Sequence, residues 1–307
     1  MNKLPEKIND INIMLHSGKP KLKFKNLMGS LVRAVFIVGF CFVILYPVIN
    51  IVSKTFMYKD NLFDPSVIWV PRNFTIDNVI LVARVTHYLE ALINTLRIAF
   101  TATILQTLSC MIVGYGFARF NFKFKNVFFA LVIFTLIVPP QTVMVPMYLH
   151  FRSFDIAGIF TLLRGEPLRL LDTPWPFALL SATGMGIRNG LFIFIFRQFF
   201  RGIPNELEEA GLIDGAGYLT IFRKIMVPIS ITPMITVSLF SLVWQWNDSF
   251  YSSLFLSNVR VLALSINTQV FTGDTEGISV QDALNPYYIA LLGSAGVFLF
   301  IIPLIII

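Results

Sequence analysis

Six stretches of this chain, at about 31–52, 91–117, 127–148, 175–200, 227–250 and 287–307, are each some twenty or more mostly apolar residues long. A helix of roughly 20 apolar residues is what crosses the hydrocarbon of a bilayer, because the helix satisfies its own backbone hydrogen bonds there. A soluble globule could not hide six such stretches and still cover itself with polar groups. Only 13% of the residues are charged, 56% are hydrophobic, and the mean hydropathy is +0.74, whereas a soluble domain carries about 25% charge. The expected fold class is therefore an all-α membrane protein with six transmembrane helices. The first stretch is too long for a signal-peptide core and lacks a small-residue cleavage motif after it, so it reads as a retained span.

Lysine and arginine placement orients the spans. The N-terminal tail, the 118–126 loop and the 197–226 segment hold 14 of the 24 basic residues, the opposite loops hold nine, and Arg97 lies inside the second span. The first set is expected on the cytoplasmic side, N-terminus included. The basic tail is enough to account for the net charge of +7, and no nucleic acid partner is needed. The chain divides into a basic tail (1–28), a first span with its outer segment (29–87) and a core of five spans (88–307). Cys41 and Cys110 both fall within spans and give no disulfide or metal spacing.

Two spans carry internal irregularities. Pro139-Pro140-Gln141 lies in the third, where proline frees backbone carbonyls and kinks the helix. In the fourth, Gly184, Gly186 and Gly190 bracket Arg188 and Asn189. A continuous helix would put Arg188 about 18 Å from the cytoplasmic end, near the bilayer centre, where an arginine marks a functional site. A helix starting later would let Arg188 snorkel to the outer surface. Gln141, Arg188, Asn189, Asn247 and Asp248 are the candidates for a translocation pathway. Trp244 and Trp246 flank them, either as aromatic faces for a sugar or, preferred here, as belt residues at the membrane interface.

The stretch from Glu206 to Ser230, ELEEAGLIDGAGYLTIFRKIMVPIS, is the polar exception between two apolar segments. Pro204 suits the start of a helix, and Glu206, Glu208 and Glu209 suit its N-terminus electrostatically. Asp214-Gly215 signals a turn. Tyr218, Ile221, Phe222 and Ile225 then recur at helical spacing. The reading is a helix, a tight turn and a second helix at the cytoplasmic surface. Small residues at Ala210, Gly211, Gly215, Ala216 and Gly217 keep the outer surface low, so that a partner's backbone can approach. A purely lipid-bound interfacial helix is the alternative, which the acidic face disfavours.

This stretch resembles the EAA loop in permease subunits of binding-protein-dependent ABC importers. The matching positions are Glu209, Ala210 and Gly211, then Gly215, then Pro228, with Gly211 standing where the family usually has Ala. NTLRIAF (94–100), VPPQTVMVPMYL (138–149), WQWNDSF (244–250) and the lead-in FRQFFRGIPNELEEA are also similar to the carbohydrate branch, especially the smaller permease of maltose-type systems. The resemblance covers about residues 88–307. It implies a type I ABC importer transmembrane domain with cytoplasmic EAA coupling helices (about 203–227). It further implies a multi-pass subunit of the bacterial plasma (inner) membrane, paired with a second homologous permease. In such complexes a cytoplasmic ABC ATPase dimer carries the ATP and magnesium, so no cofactor is expected on this chain. An external substrate-binding protein delivers a sugar or oligosaccharide. The resemblance assigns ATPase coupling to Glu209, Ala210, Gly211, Asp214, Gly215, Phe222 and Pro228, with Phe222 and Pro228 tying the loop to the fifth span. The polar tip FTGDTEG, with Gly273, Asp274, Thr275, Glu276 and Gly277, looks like the contact for the binding protein. Family members usually continue beyond the last span into a short cytoplasmic tail, whereas this sequence ends at Ile307.

Other classes find little support. No Gly-x-x-x-x-Gly-Lys-Ser/Thr phosphate loop occurs. His16, His87 and His150 are scattered and form no HExxH pair. A stand-alone secondary transporter would need broken helices and coupling-ion carboxylates at the midplane, and the nearest acid is Asp248, toward the outer end of the fifth span.

Overall fold

The computed structural model describes residues 19–58, 61, 64, 70–265 and 286–306. The tip at 273–277 therefore lies outside the described residues. The regular structure of the described residues is all helical, apart from two isolated backbone bridges, Met57 to Phe74 and Phe154 to Leu168. Its helices are α1 (Lys19–Thr55), α2 (Asp77–Val85), α3 (Tyr88–Arg119), α4 (Lys125–Phe134), α5 (Met144–Arg152), α6 (Ile159–Arg164) and α7 (Trp175–Ala182). They continue as α8 (Asn189–Arg201), α9 (Glu206–Ile213), α10 (Tyr218–Ile221), α11 (Val227–Ile229), α12 (Ile231–Trp246), α13 (Phe250–Phe255) and α14 (Pro286–Ile306).

Among the described residues three helices are long and apolar enough to cross a membrane unbroken: α1 from Met28, α3, and α14 from Ile289. The segment Tyr218–Ile229 and α12 pass together as one span bent by 74°. The third and fourth expected spans are not continuous helices. After α4, the Pro139-Pro140 pair leads into a short 3-10 turn, Pro140–Val143, before α5 begins. The fourth expected span stops at Ala182 and restarts at Asn189, with Gly184 (φ +73°) and Arg188 (φ +60°) in left-handed conformations. Proline at the first break removes a backbone donor, and the positive φ angles at the second reverse the chain locally.

Helix α3 is the hub, packing against α7, α8 and α12. Its buried face is small and mildly polar: Ala91, Thr95, Ala99, Ala102, Thr103, Gln106, Thr107, Ser109, Cys110 and Gly114 are all buried. Between helices in lipid there is no hydrophobic driving force, so close backbone approach and interhelical hydrogen bonds hold the contact. Gly114 shows the approach directly. A Cβ there would lie 2.6 Å from Phe196 Cβ and 3.0 Å from the Arg197 backbone nitrogen of α8.

Two apolar clusters cap the ends of α3. At one end Cys110, Met111 and Tyr115 meet Phe192, Ile193, Phe196 and Phe200 of α8, with Ile221, Met226 and Val237. At the other, Ile98 and Ala102 meet Phe151, Leu171, Phe177, Phe255, Leu256 and Val261. There Asp172 pins two loops together: its carboxylate accepts the backbone N–H groups of Ser257 (2.7 Å) and Asn258 (2.8 Å). Helix α1 is separate from this core and packs on α14, as does α2. Asn78 of α2 donates to the carbonyls of Thr55 and Met57 at 3.0 and 2.9 Å, anchoring the end of α1.

Candidate functional site: a coupling element and a broken helix

The polar stretch folds as two short helices joined by a tight turn. Helix α9 ends in a Schellman cap. The Ala216 N–H donates to the Gly211 carbonyl at 2.9 Å and the Gly215 N–H to the Leu212 carbonyl at 3.0 Å. Gly215 has φ +78° and open space around its α-carbon. The glycine is thus required by backbone conformation, independently of any approaching partner.

Gly211 faces inward. It is buried, and a Cβ there would sit 3.0 Å from Ile221 Cγ1 and 3.3 Å from its Cδ1. Its smallness lets α9 close on α10, rather than keeping the outer surface low. Glu209, Ala210, Asp214 and Gly215 are exposed, as is Pro228, while Phe222 is half-buried. Ile213 and Leu219 stand out from the same surface, 86% and 70% exposed.

The four acids divide into two roles. Glu208 turns inward, where its Oε1 lies 2.9 Å from Arg119 Nε at the end of α3, with side chains 13% and 7% exposed respectively. The same guanidinium donates to the Ile203 carbonyl at 2.7 Å and to the Asn205 side chain at the start of α9. Glu206, Glu209 and Asp214 remain exposed. Next to this clamp, the Tyr115 ring of α3 packs on Phe222 (4.8 Å between centroids), Phe200 (5.4 Å) and Phe120 (5.6 Å). Phe122 and Phe129 extend the aromatic layer around Phe117. Phe222 therefore contacts the second span, not only the fifth to which the chain leads. After Phe222 a wide π turn, Phe222–Met226, runs into α11 and bends at Ser230, whose hydroxyl donates to the Val227 carbonyl at 2.8 Å. Pro228 sits in that bend.

The proposed pathway residues do not form one cluster. Asn189 is buried (4% exposed) and belongs to a polar knot centred on Gln106 of α3. The Gln106 amide donates to the Ile187 carbonyl at 2.6 Å and to the Asn189 side chain, and its oxygen accepts from Ser241 and Gln245 of α12. Ser109 donates to the Ser181 carbonyl at 2.6 Å. Gln106 and Ser109, one turn apart on α3, thus satisfy carbonyls freed by the break in the fourth span. Irregular backbone at membrane depth requires such partners. Gly190 brings the restarted helix against α4, where a Cβ would lie 2.6 Å from the Val132 carbonyl oxygen.

Arg188 immediately precedes α8, exposed, its guanidinium 5.8 Å from the Trp244 ring centroid. Gln141 is exposed in its turn. Asn247 donates to the Val243 carbonyl of its own helix at 2.7 Å. Asp248 caps α13, accepting the N–H groups of Tyr251 (3.2 Å) and Ser252 (2.9 Å). Trp246 is fully buried against Ala91, Leu262 and Phe300, so it is neither a belt residue nor a ring lining a path. Sequence reasoning missed Gln106, Tyr115 and Arg119. The available signal was the run of Thr103, Gln106, Thr107 and Ser109 in an apolar helix, since polar groups there must find partners.

Comparison with known proteins places this arrangement. The family model described as binding-protein-dependent transport system inner membrane component matches residues 110–307. A probable ABC transporter permease protein of Pyrococcus horikoshii is 31% identical over 169 residues, covering 55% of each chain. An alpha-glucoside transport system permease protein of Rhizobium meliloti is 28% identical over 186 residues, 61% of this chain and 46% of the relative. The chain thus spans about half the length of these curated relatives. Among solved structures, a chain from a bacterial ABC transporter involved in the import of the acidic polysaccharide alginate superposes with a TM-score of 0.70. It is 21% identical, with 92% of this chain and 94% of that chain covered, and it is similar in fold.

Proposed function

Taking as premise that the chain belongs to the binding-protein-dependent transport system inner membrane components, we propose that it forms half of the translocation pathway of an ATP-driven importer. It acts as the non-catalytic membrane subunit, and ATP is hydrolysed on a separate cytoplasmic chain. The EAA-like element, α9 to α10, docks in that ATPase. The observation that carries this reading is the two-sided build of the element. One side is fixed to α3 by Arg119, Glu208 and Tyr115. The other presents Glu209, Ala210, Ile213 and Leu219 to solvent. A surface of exposed apolar side chains rimmed by acids on a rigid base is suited to a protein partner.

The remaining partners follow from the same premise: a second permease, and an external binding protein that reaches the 273–277 tip. On this reading the chain crosses the membrane six times, with the third and fourth crossings made by interrupted helices and the fifth by the pair Tyr218–Ile229 and α12, which is bent by 74°. The N-terminus, the 118–126 loop and the coupling element lie on the cytoplasmic side by charge. The cargo is a sugar or oligosaccharide, supported by the named transport role of the alpha-glucoside relative. Within the pathway set, Arg188 with Trp244 offers a cation and a ring face together, and Gln141 and Asn247 supply further exposed polar groups. Asp248 serves by holding the backbone N–H groups at the start of α13, and Asn189 by accepting the Gln106 side-chain amide.

Co-purification tests the reading. The tagged chain, expressed with an ATPase and permease encoded beside it, should retain both in mild detergent and support ATP-dependent uptake in vesicles. A chain that purifies alone and drives uptake without ATP would overturn it in favour of a secondary transporter.

A further inference from the structure

A second site lies at the foot of α4, lined by residues other than those of the Arg119 and Glu208 pair. A cavity of about 510 Å³ opens there between the 120–126 loop and the end of α8, lined by Phe117, Phe122, Phe124, Lys125, Arg197 and Arg201 among others. No lining residue is acidic. Three cations therefore share one cavity without a carboxylate. Arg197 is the one of the three with a buried, unpartnered donor atom among the described residues. Its guanidinium lies 3.8 Å from the Phe129 ring centroid, and its buried Nε has no hydrogen-bond acceptor among the described residues. Stacking on the ring holds the guanidinium plane but leaves its Nε–H without a partner, and a half-buried cation with such a donor is suited to an anion that fills the gap.

The surroundings identify the anion's carrier. Phe122 and Phe124 are exposed at the rim, and Phe124 is held there by a left-handed backbone, φ +63°. Above the cavity α4 buries none of its residues, and Val127, Phe128, Leu131 and Phe134 form an exposed apolar track. A phosphate at the mouth with apolar chains running up such a track describes a phospholipid. Basic pockets between spans on the cytoplasmic side are suited to anionic headgroups. A soluble anion would leave the track unused.

We propose that this cavity is a binding site for an anionic phospholipid, whose phosphate is held by Lys125, Arg197 and Arg201. The site requires the 118–126 loop to lie at the membrane surface but does not depend on docking to an ATPase.

The test is native mass spectrometry of the purified complex, exchanged into phosphatidylcholine nanodiscs with graded phosphatidylglycerol. Retained phosphatidylglycerol is expected to exceed retained phosphatidylcholine at equal supply. Lys125→Gln with Arg201→Gln should weaken that preference by about fivefold per cation removed, while Arg201→Lys should keep it. Inorganic phosphate at millimolar concentration should not displace the lipid. Equal retention of both lipids by the unaltered protein would overturn the proposal without any variant. Displacement by phosphate would reassign the cavity to a soluble anion. Loss of a subunit from the double variant, with lipid retention unchanged, would make it a protein contact. The double variant is expected to keep its bound ATPase, so failure here and failure of the importer reading give different results.

Discussion

Arg119 and Glu208 meet at 2.9 Å where α3 ends and the proposed coupling element begins. They are 89 residues apart in the chain, and almost all of both side chains is buried. The arginine also holds Ile203 and Asn205, so one guanidinium sets the position of the whole first turn of α9.

Arg119→Ala is expected to leave Glu208 as a buried unpaired charge, destabilising the element by about 3–5 kcal/mol. Transport should fall at least tenfold. Arg119→Lys should recover little, because a lysine ammonium lacks the planar fork that serves several acceptors at once. Uptake in vesicles, measured beside the amount of ATPase subunit retained, checks this. Full uptake by Arg119→Ala would show that the pair does not position the element.

Substitution at Gly215 separates backbone from contact. The position is open, so bulk within this chain is not the obstacle; φ +78° is. Gly215→Ala should destabilise the cap by about 1 kcal/mol, and Gly215→Asn by less, since asparagine tolerates the left-handed region. If Gly215→Asp abolishes uptake while Gly215→Asn of similar size retains it, added charge against a partner is responsible. Equal loss in both would assign the effect to bulk at the docking surface.

Gln106→Leu should damage the protein without touching the coupling element. It leaves the Ile187 carbonyl and the Asn189 side chain without their donor, each loss being about 1–3 kcal/mol when no other partner is found. A lowered thermal midpoint in detergent, with the ATPase still bound, is the expected pattern. An unchanged midpoint would mean that water or lipid replaces the amide.

Asp172 gives the two loops it joins an acid limit. The Asn258 backbone N–H, together with the Ser257 N–H, the Asn258 side chain and nearby Arg169, holds its carboxyl below the usual carboxylate range against the opposing effect of desolvation. A folded pKa below the unfolded value means that the ionised form stabilises the fold. That contribution is complete above the unfolded value, about 3.9, and is lost as pH falls through the depressed folded value. Asp172→Asn, which keeps a residue tolerant of φ +62°, should therefore melt earlier than the unaltered chain at neutral pH. The two should converge in acid. A gap that does not narrow as the pH falls below the unfolded value would rule out the carboxylate as its source.

The all-helical, membrane-type class of the chain and its polar loop were legible because each depends on local composition and spacing. Glycine at 215 was legible for the same reason, as an Asp-Gly turn. What could not be read was which acid turns inward, since Glu206, Glu208 and Glu209 differ only by the position of Arg119, far away in sequence. Trp246 misled because a tryptophan near a span end is usually at the interface, and its burial is decided by α14. The break at 183–188 was hinted by three glycines and an arginine. Whether a glycine-rich stretch stays helical depends on donors from α3, which no local pattern reveals.

Chain order gives the break at 183–188 a further meaning during biogenesis. Its freed carbonyls, at Ser181 and Ile187, find their donors on a helix that is synthesised more than sixty residues earlier. The 175–200 segment on its own would carry the Ile187 carbonyl without its donor, which is unfavourable in hydrocarbon. Emerging beside an already seated second span, it meets Gln106 and Ser109 as it enters. The interrupted segment is therefore expected to insert together with α3, whose amide at 106 is made before the interruption that needs it.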